Sequence, residues 1–591
     1  MKKRILLFGL IAMAFTTGCS DDFLDVKPLD RYSDAAVWSD QALVKNYVNG
    51  IYEGMHYGFN AEMFASISDE AMDVWGWETQ AVINGDISNS YLGVFTHFSG
   101  SYNRLSWWSL YKNVRNCNVF LKNIDLYGLS GAEVERMKGE VYFLRGYYYY
   151  WLMSLYGGVP VIDTAYQPTD DMLIQRNTLE ETVNFIVENL DQAAALLPES
   201  GDKARASKGA AMALKSRVLL YAASDLFNSQ ASWASGYSKP ELLSYMGGDR
   251  TVRWQAAKDA AKAVIDMNGY SLHGGTAQAP GEQAINNYVS IFLNHGTNED
   301  IFYSYYDNVN DNGWASPSPG LFNGPNGYHG WGGNTPTQQF IDSYEMADGS
   351  SFSWANPAQA AAPYQNRDPR FYANTLYDGA HWRQRPDDII ASDPAGIVQT
   401  GYYENADGTY RAGLDTRQGP IEDWNGSYTG YYIRKFIDPA INHQYERQKY
   451  PWRQIRYAEV LLNYAEACIE LGQYDEARTY LNMIRGRAGM PAIAASVTGA
   501  DLKARYRNER KIELAWEQHR YFDIRRWMIA PEVIKNVGGI DIRHPFNGGP
   551  TRYNVIDVQN RKWNANNKTY FMPILLDEIN RNSLLVQNPG Y

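Results

Sequence analysis

The sequence predicts a mainly α-helical protein that carries a large loop-rich insertion. Apolar and small residues recur at three- and four-residue spacing in paired segments near both ends of the chain, as they do along the buried face of a helix. Between residues 269 and 448 this spacing fades, and glycine, proline, asparagine and aromatic residues dominate. Such a long irregular stretch is usually functional, and its tryptophan and tyrosine content argues against disorder.

The best-specified helix pair lies within residues 452–491. Apolar or small side chains follow helical spacing over residues 455–469, and Gly472 ends this first helix. The second helix begins near Asp475, whose carboxylate suits the positive end of the helix dipole, and stops at Gly489. The turn between the helices has the spacing of a tetratricopeptide unit.

One such unit cannot bury its own apolar face, so it predicts neighbouring units. The same pattern predicts further pairs from residues 210–226 with 254–267, 133–156 with 179–197, and 41–57 with 110–126. Another long helix is expected over residues 502–528, and short strands near 301–306 and 431–436. The fold class is thus a tetratricopeptide-like scaffold of about four pairs. The alternative is an irregular helical domain in which the similar segments arise by chance.

The start of the chain has the pattern of a lipoprotein signal. A basic segment at residues 2–4 precedes an apolar run, residues 5–15, that is too short to span a bilayer. Gly18 and Cys19 follow, which resembles the bacterial site of cleavage before an acylated cysteine. The acidic residues after Cys19 resemble a tag for export to the outer leaflet of the outer membrane. We therefore expect a lipid anchor on Cys19 and a location at the cell surface.

These observations predict five segments. They are a signal peptide at 1–18, an acylated cysteine and tether at 19–40, the first part of the helical scaffold at 41–268, a loop-rich ligand-binding subdomain at 269–448, and the second part of the scaffold at 449–591.

The composition of the chain argues against one class of partner and indicates where its cysteines and aromatic residues lie. The net charge of −12 argues against nucleic acid as a partner. Besides Cys19 the chain has only Cys117 and Cys468, both on predicted apolar helix faces, so we expect two buried thiols. A bridge between them would require the two positions to meet in space. The 45 tyrosines and 17 tryptophans exceed what a helical core readily uses, which places many of them in loops or at the surface.

No catalytic motif stands out. The sequence contains no zinc-binding His-Glu-x-x-His, no Gly-x-Ser-x-Gly elbow, no phosphate-binding loop and no Cys-x-x-Cys. A glycosidase needs only two carboxylates, so motif absence does not exclude one, but the acidic residues lie mostly on helix faces. Asn308, Asn310 and Asn312 have the early spacing of a calcium loop, yet Pro319 replaces its bidentate glutamate, which favours a turn. We expect no enzyme, cofactor or metal.

Sugar recognition fits the loop residues better. A pyranose has an apolar face and a rim of hydroxyls, so its site needs flat aromatic rings beside polar groups. Each aromatic residue could instead be local packing, and Trp354 and Trp382 are the next candidates. The predicted ligand-binding residues are Asp73, Trp75, Trp77, Asn312, Trp314, Asn326, Tyr328 and Trp331.

Several segments, taken together, resemble the SusD/RagB family of outer-membrane nutrient-uptake lipoproteins over most of the chain. They are RYAEVLLNYAEA (456–467), IRGRAG (484–489), ER (509–510), RYFDIRRW (520–527), GEVYFLR (139–145), YGGVP (156–160) and QNPGY (587–591).

The resemblance implies a non-catalytic protein that binds glycans and partners a SusC-like TonB-dependent transporter. A peptide-binding lid of a peptide importer, a purely structural cap of the transporter and a surface glycosidase remain as alternatives. The charged residues of these segments, such as Arg456 with Glu459 and Arg510 with Glu509 and Glu513, have ion-pair spacing. We expect them to hold helix to helix rather than to bind a ligand.

Overall fold

The computed structural model describes residues 34–59, 63–76, 78–95, 104–167, 169–305 and 318–591. The signal segment and Cys19 lie outside this range. The long helices of the described residues are Gln41–Tyr52, Trp107–Asn123, Ala132–Tyr156, Leu179–Leu196, Lys208–Ala223, Arg250–Asp266, Glu282–Phe292, Tyr457–Glu470, Tyr474–Arg487 and Gly499–Glu513. Shorter helices are Asp34–Trp38, Thr79–Ile83, Pro319–Asn323, Gln338–Asp342, Pro357–Ala361, Pro369–Asn374, Arg520–Arg526, Ala530–Val533 and Leu576–Arg581.

Most long helices form one continuous array. From Trp107–Asn123 to Arg250–Asp266 each helix packs on the next, and the series continues through Tyr457–Glu470 to Gly499–Glu513. Gln41–Tyr52 packs against the start of the array. The mainly helical fold class is confirmed, and the helices of every predicted pair are in contact. The finer tetratricopeptide character stays a prediction.

Local sequence signals set where these helices begin. Thr178 and Glu181 form a capping box, in which each side chain accepts a hydrogen bond from the other residue's backbone N–H. Ser106 and Ser207 accept a backbone N–H at the starts of their helices, and Asp249 does the same for Arg250–Asp266. These residues satisfy N–H groups that would otherwise lack partners in the first turn.

The strands are short and mostly join distant parts of the chain. β1 (Ala71–Asp73) pairs with β3 (Asn334–Pro336), β2 (Asp300–Ser304) with β8 (Trp452–Arg456), and β4 (Thr375–Leu376) with β7 (Tyr432–Ile433). The fourth sheet contains β5 (Tyr402–Glu404), β6 (Tyr410–Ala412), β9 (Val537–His544) and β10 (Arg552–Gln559), in the order β10-β9-β5-β6. The strands predicted near residues 301–306 and 431–436 correspond to β2 and β7.

The loop-rich part is packed onto the array. A buried cluster that includes Phe371 and Tyr431 from this part also includes Phe59, Trp516 and Ile542 from other parts of the chain. β5 lies within residues 269–448 but pairs with β9, which lies beyond it. The division of the chain at residues 268 and 448 therefore stays a prediction. Glu282–Phe292 and the β9–β10 hairpin were not predicted from the sequence.

Two predicted helices differ in the structure. The pair at 452–491 begins with strand β8, because residues 452–456 pair with β2, and its first helix starts only at Tyr457. The helix predicted over 502–528 is broken between Glu513 and Arg520. Trp516 and Gln518 have left-handed backbone conformations there, with φ of 58° and 68°. This turn buries the Trp516 side chain completely.

Both cysteines of the described residues are buried free thiols, as predicted. In the described ranges, no helix combines the length and the apolar character needed to cross a membrane.

Buried ion pairs join the array to the loop-rich part. The Glu513 carboxylate accepts hydrogen bonds from Arg456 (2.7 Å), Arg370 (3.2 Å) and Arg487. Burial opposes the ionisation of Glu513, but these three guanidinium groups outweigh it and lower the pKa of Glu513 below its usual range. We call the buried set around it the Glu513 network, with members Glu299, Arg370, Lys435, Arg456, Arg487, Glu509, Glu513 and Glu517.

The predicted structural role of these charges agrees with this arrangement, but the predicted partners are wrong. Arg456 lies in a strand, so it does not face Glu459 as an i,i+3 neighbour. Glu459 instead pairs with Arg217, at 2.5 Å, from another helix of the array. Arg510 donates to Asp523, at 2.8 Å, across the broken helix. Ion-pair spacing along the sequence therefore identified the charged residues but not their contacts.

Glu513→Gln should lower the free energy of unfolding by about 3–5 kcal/mol, because it leaves buried guanidinium groups without their counter-charge. Glu199→Gln is the matched control, since Glu199 pairs with Lys208 at the surface and its loss should cost less than about 1 kcal/mol. Denaturant unfolding of both variants measures the difference. Equal costs would contradict a central role for the Glu513 network.

Candidate functional site

β1 and β3 bring two of the predicted aromatic residues together. The strands pair antiparallel, and the Val74 N–H extends the pairing by donating to the Gly333 carbonyl at 2.8 Å. The rings of Trp75 and Trp331 then meet edge to face, with centroids 6.1 Å apart and an interplanar angle of 78°. A Cβ on Gly333 would lie 2.5 Å from the Trp75 ring, so this contact requires glycine at 333. Both indoles are half-buried.

Asp73 shapes the turn that presents Trp75. Its side chain is buried and accepts hydrogen bonds from the Trp75 backbone N–H (3.0 Å) and the Thr79 hydroxyl (2.8 Å). Burial raises the pKa of Asp73. Both oxygens of Asp73 are therefore occupied inside the protein, where they support the turn, and its contact with a ligand stays a prediction.

Asn326 and Tyr328 are also buried. The Asn326 amide donates to the Thr416 carbonyl and its oxygen accepts from the Tyr432 hydroxyl, both at 2.8 Å. The Tyr328 ring lies under the Arg385 guanidinium, 4.1 Å from its centroid, and burial raises the pKa of Tyr328. Both side chains are buried and support the loop that carries Trp331, and their direct contact with a ligand stays a prediction.

Three predicted site residues are not described by the structure, whereas the two further candidates are. Trp77, Asn312 and Trp314 lie outside the described residues, and their roles stay predictions. Of the two further candidates, Trp382 is buried, while Trp354 is half-buried and donates its indole N–H to Asp342 at 3.1 Å.

The structure adds two aromatic residues that the sequence interpretation missed. Trp424 is 61% exposed and Tyr428 is 40% exposed. Their loop rests on the Trp331 loop, since the Gly426 N–H donates to the Trp331 carbonyl at 3.2 Å. The available signal was a tryptophan and a tyrosine within the loop sequence IEDWNGSYTG. We call Trp75, Trp331 and Trp424 the tryptophan cluster.

A second concave region lies between Gln41–Tyr52 and β2. Its volume is about 420 Å³, within the range of small-molecule sites. Tyr52, Tyr303 and Tyr305 line it together with Arg104 and Arg205. The Arg205 guanidinium lies 4.4 Å from the Tyr52 ring centroid. Tyr305 directly precedes residues 306–317, which carry the predicted Asn312 and Trp314.

The tryptophan cluster offers aromatic surface on which a sugar ring can stack. The indoles offer flat apolar faces, and the half-buried Glu422 and the exposed Asp423 share the loop of Trp424. Asp73, the one carboxylate predicted for this site, is buried and occupied. Within the described ranges, no three His, Cys, Asp or Glu side chains are grouped as metal ligands.

Two family models match this chain. The model described as "SusD family" matches residues 298–591, and the model described as "Starch-binding associating with outer membrane" matches residues 22–220. Together they span both parts of the helical array. The chain belongs to the SusD family.

Known relatives agree with this assignment. A crystal structure of a SusD-like protein from Bacteroides fragilis is 30% identical, with a TM-score of 0.75, over 96% of this chain and 100% of that one. A SusD-like carbohydrate-binding protein from the same species is 22% identical, with a TM-score of 0.70, over 93% and 100%. A SusD-like protein of Bacteroides ovatus is 20% identical over 89% of this chain and 83% of its own length.

Glu70 lies immediately before the strand that leads to the tryptophan cluster. Its carbonyl accepts the Thr337 N–H at 3.1 Å, and its carboxylate is buried with no hydrogen-bond partner among the described residues. Burial, followed by the nearby Asp69 carboxylate, raises the pKa of Glu70 from 4.5 to about 8. Near neutral pH the folded protein therefore holds a proton at Glu70.

Glu70→Gln should remove a pH dependence of stability. Between pH 4.5 and 8 the folded wild type keeps a proton that the unfolded chain releases, so its stability falls as pH rises. The variant is always neutral at this position, so its free energy of unfolding should equal that of the wild type below pH 4.5. Through that window the variant should become more stable than the wild type by roughly 1.4 kcal/mol for each pH unit. Denaturant unfolding at several pH values measures this, and parallel profiles would contradict it.

Proposed function

We propose that this protein is a cell-surface, outer-membrane lipoprotein that binds oligosaccharides at the tryptophan cluster and delivers them to a SusC-like TonB-dependent transporter. The observation that supports this site is the edge-to-face pair of Trp75 and Trp331, whose loop is hydrogen-bonded through Gly426 to the loop of the exposed Trp424. Membership of the SusD family and the carbohydrate-binding relative support the ligand class. The match to the family model described as associating with the outer membrane supports the proposed location.

The protein acts in this proposal as a binding protein and not as an enzyme. A glycosidase needs two carboxyl groups on opposite sides of the scissile bond, one of them able to donate a proton. Asp73, the one carboxylate predicted for this site, is buried, and both of its oxygens accept hydrogen bonds within the protein. Flat, exposed aromatic rings in loops favour a glycan over a peptide, because a pyranose stacks on such a ring through its apolar face.

Trp331→Ala and Trp424→Ala should each weaken oligosaccharide binding by roughly 1–3 kcal/mol, on the scale of aromatic burial. Trp424→Ala should change the free energy of unfolding by less than about 0.5 kcal/mol, because the side chain is largely exposed. Tyr445→Ala is the control, since Tyr445 is exposed on a different loop. Calorimetric titration against an oligosaccharide panel and thermal melting of each variant provide the measurements.

Normal melting with unchanged affinity in both tryptophan variants would place the glycan site elsewhere. Binding of a peptide library by the wild type, with no binding of any oligosaccharide, would replace the proposal by the peptide-importer alternative.

The transporter partner is tested by purification. A TonB-dependent transporter should co-purify with this protein from gently solubilised outer membranes. Cys19→Ala is the control, since loss of the acyl anchor should release the folded protein from the membrane fraction. Recovery of the wild type alone, under conditions that preserve other lipoprotein–transporter pairs, would contradict the partnership. A membrane-bound Cys19→Ala variant would contradict the anchor.

A further inference from the structure

A groove of about 480 Å³ lies beside Trp108, away from the residues of the tryptophan cluster. One wall is the helix Trp107–Asn123, the second comes from Pro160 to Tyr166 with Met172 and Ile174, and the third from residues 578–585. Its volume is within the range of small-molecule sites. We call it the Trp108 groove.

The groove is preformed, because hydrogen bonds tie its walls to the rest of the fold. The Tyr111 hydroxyl donates to the Pro160 carbonyl, and the Asn118 amide donates to the Ile162 carbonyl, both at 2.8 Å. The Asn582 amide donates to Ile174 across the other side, also at 2.8 Å. A ligand would therefore not need to order these walls, which lowers the cost of binding.

Trp108 provides an exposed aromatic face in the groove. Its side chain is 59% exposed, whereas its neighbour Trp107 is buried against Tyr111 and Tyr156. The Lys112 ammonium lies 5.3 Å from the Trp108 ring centroid. A cation therefore stands next to a surface on which a sugar ring can stack.

The charged lining is mainly cationic. Lys112, Arg115 and Arg581 line the groove together with Glu578, which pairs with Arg581 at 3.3 Å. The Arg115 guanidinium donates to the Tyr166 carbonyl and keeps its charge. Asp170 and Asp171 are on the second wall's segment, but they accept backbone N–H groups of that segment and do not line the groove. In a chain of net charge −12, a lining whose charge is net positive beside one aromatic face is complementary to an anion.

We propose that the Trp108 groove binds an anionic saccharide unit. The sugar ring stacks on Trp108, and its carboxylate or sulfate group lies among Lys112, Arg115 and Arg581. This second site rests on the proposed function only for the ligand class, since it shares no residue with the tryptophan cluster. Carboxylate- and sulfate-bearing sugars present the same chemistry here, and the experiment separates them.

The test is calorimetric titration of the full chain in detergent with three probes: a galacturonic acid tetrasaccharide, a sulfated galactan oligosaccharide and neutral maltotetraose. At least one anionic probe should bind, and Trp108→Ala should weaken that binding at least about tenfold, which is ~1.4 kcal/mol. Lys112→Gln should weaken it roughly threefold or more, and raised salt should weaken it as well. Lys122→Gln, on the same helix as Lys112, should leave it unchanged, and Trp331→Ala identifies any part of the binding that occurs at the tryptophan cluster.

Three results would overturn the proposal. The first is that neither anionic probe binds, or that Trp108→Ala binds both as the wild type does. The second is loss of anionic binding in Trp331→Ala alone, which would place the anionic sugar at the tryptophan cluster and leave the proposed function standing. The third is unchanged saccharide binding in Trp108→Ala with reduced recovery of a membrane protein, which would make the groove a protein-docking surface. Binding of no saccharide at all would count against the proposed function as well.

Discussion

The buried charges around Glu513 are the constraint on which the rest of the structure depends. Glu513 ends one helix of the array, Arg487 ends another, Arg456 belongs to strand β8, and Arg370 belongs to the loop-rich part. Each buried charge would be costly alone, so the residues are stable only when all of their partners are in place. The network thereby specifies how the helices and the loop-rich part meet, in addition to any stability that it contributes.

Buried ion pairs also hold the segments next to the loops of the candidate site. Lys435 lies just after β7, and its ammonium donates to Glu517 and to the Ala515 carbonyl. Burial lowers the pKa of Lys435 to about 8. Near the other end of this region, Arg520 pairs with Asp69 at 2.7 Å, next to the strand that leads to Trp75. Buried ion pairs therefore hold the segments that lead to the aromatic loops, which suits a preformed binding surface.

A scaffold of this kind separates stability from recognition. The charged residues that hold the array together are buried, whereas Trp424 and Trp108 stand in exposed positions on different elements. Exposed indoles contribute little to folding but offer apolar area to a ligand. Substitution of such residues can therefore change the ligand without disturbing the frame, which is consistent with a family that shares one fold at low sequence identity.

The sequence by itself determined the helices, the family and the kinds of residue at the candidate site, because helical periodicity, capping and composition are local properties. Only the tertiary structure decided which of those residues are accessible. Tyr328 and Trp331 are three positions apart in one loop, yet one is buried under Arg385 and the other meets Trp75. That meeting depends on β1 pairing with β3, more than 250 positions away. Long-range pairing and burial carry no local signal, so the exposure of Trp424 and the true partners of Arg456 were decided only in the folded chain.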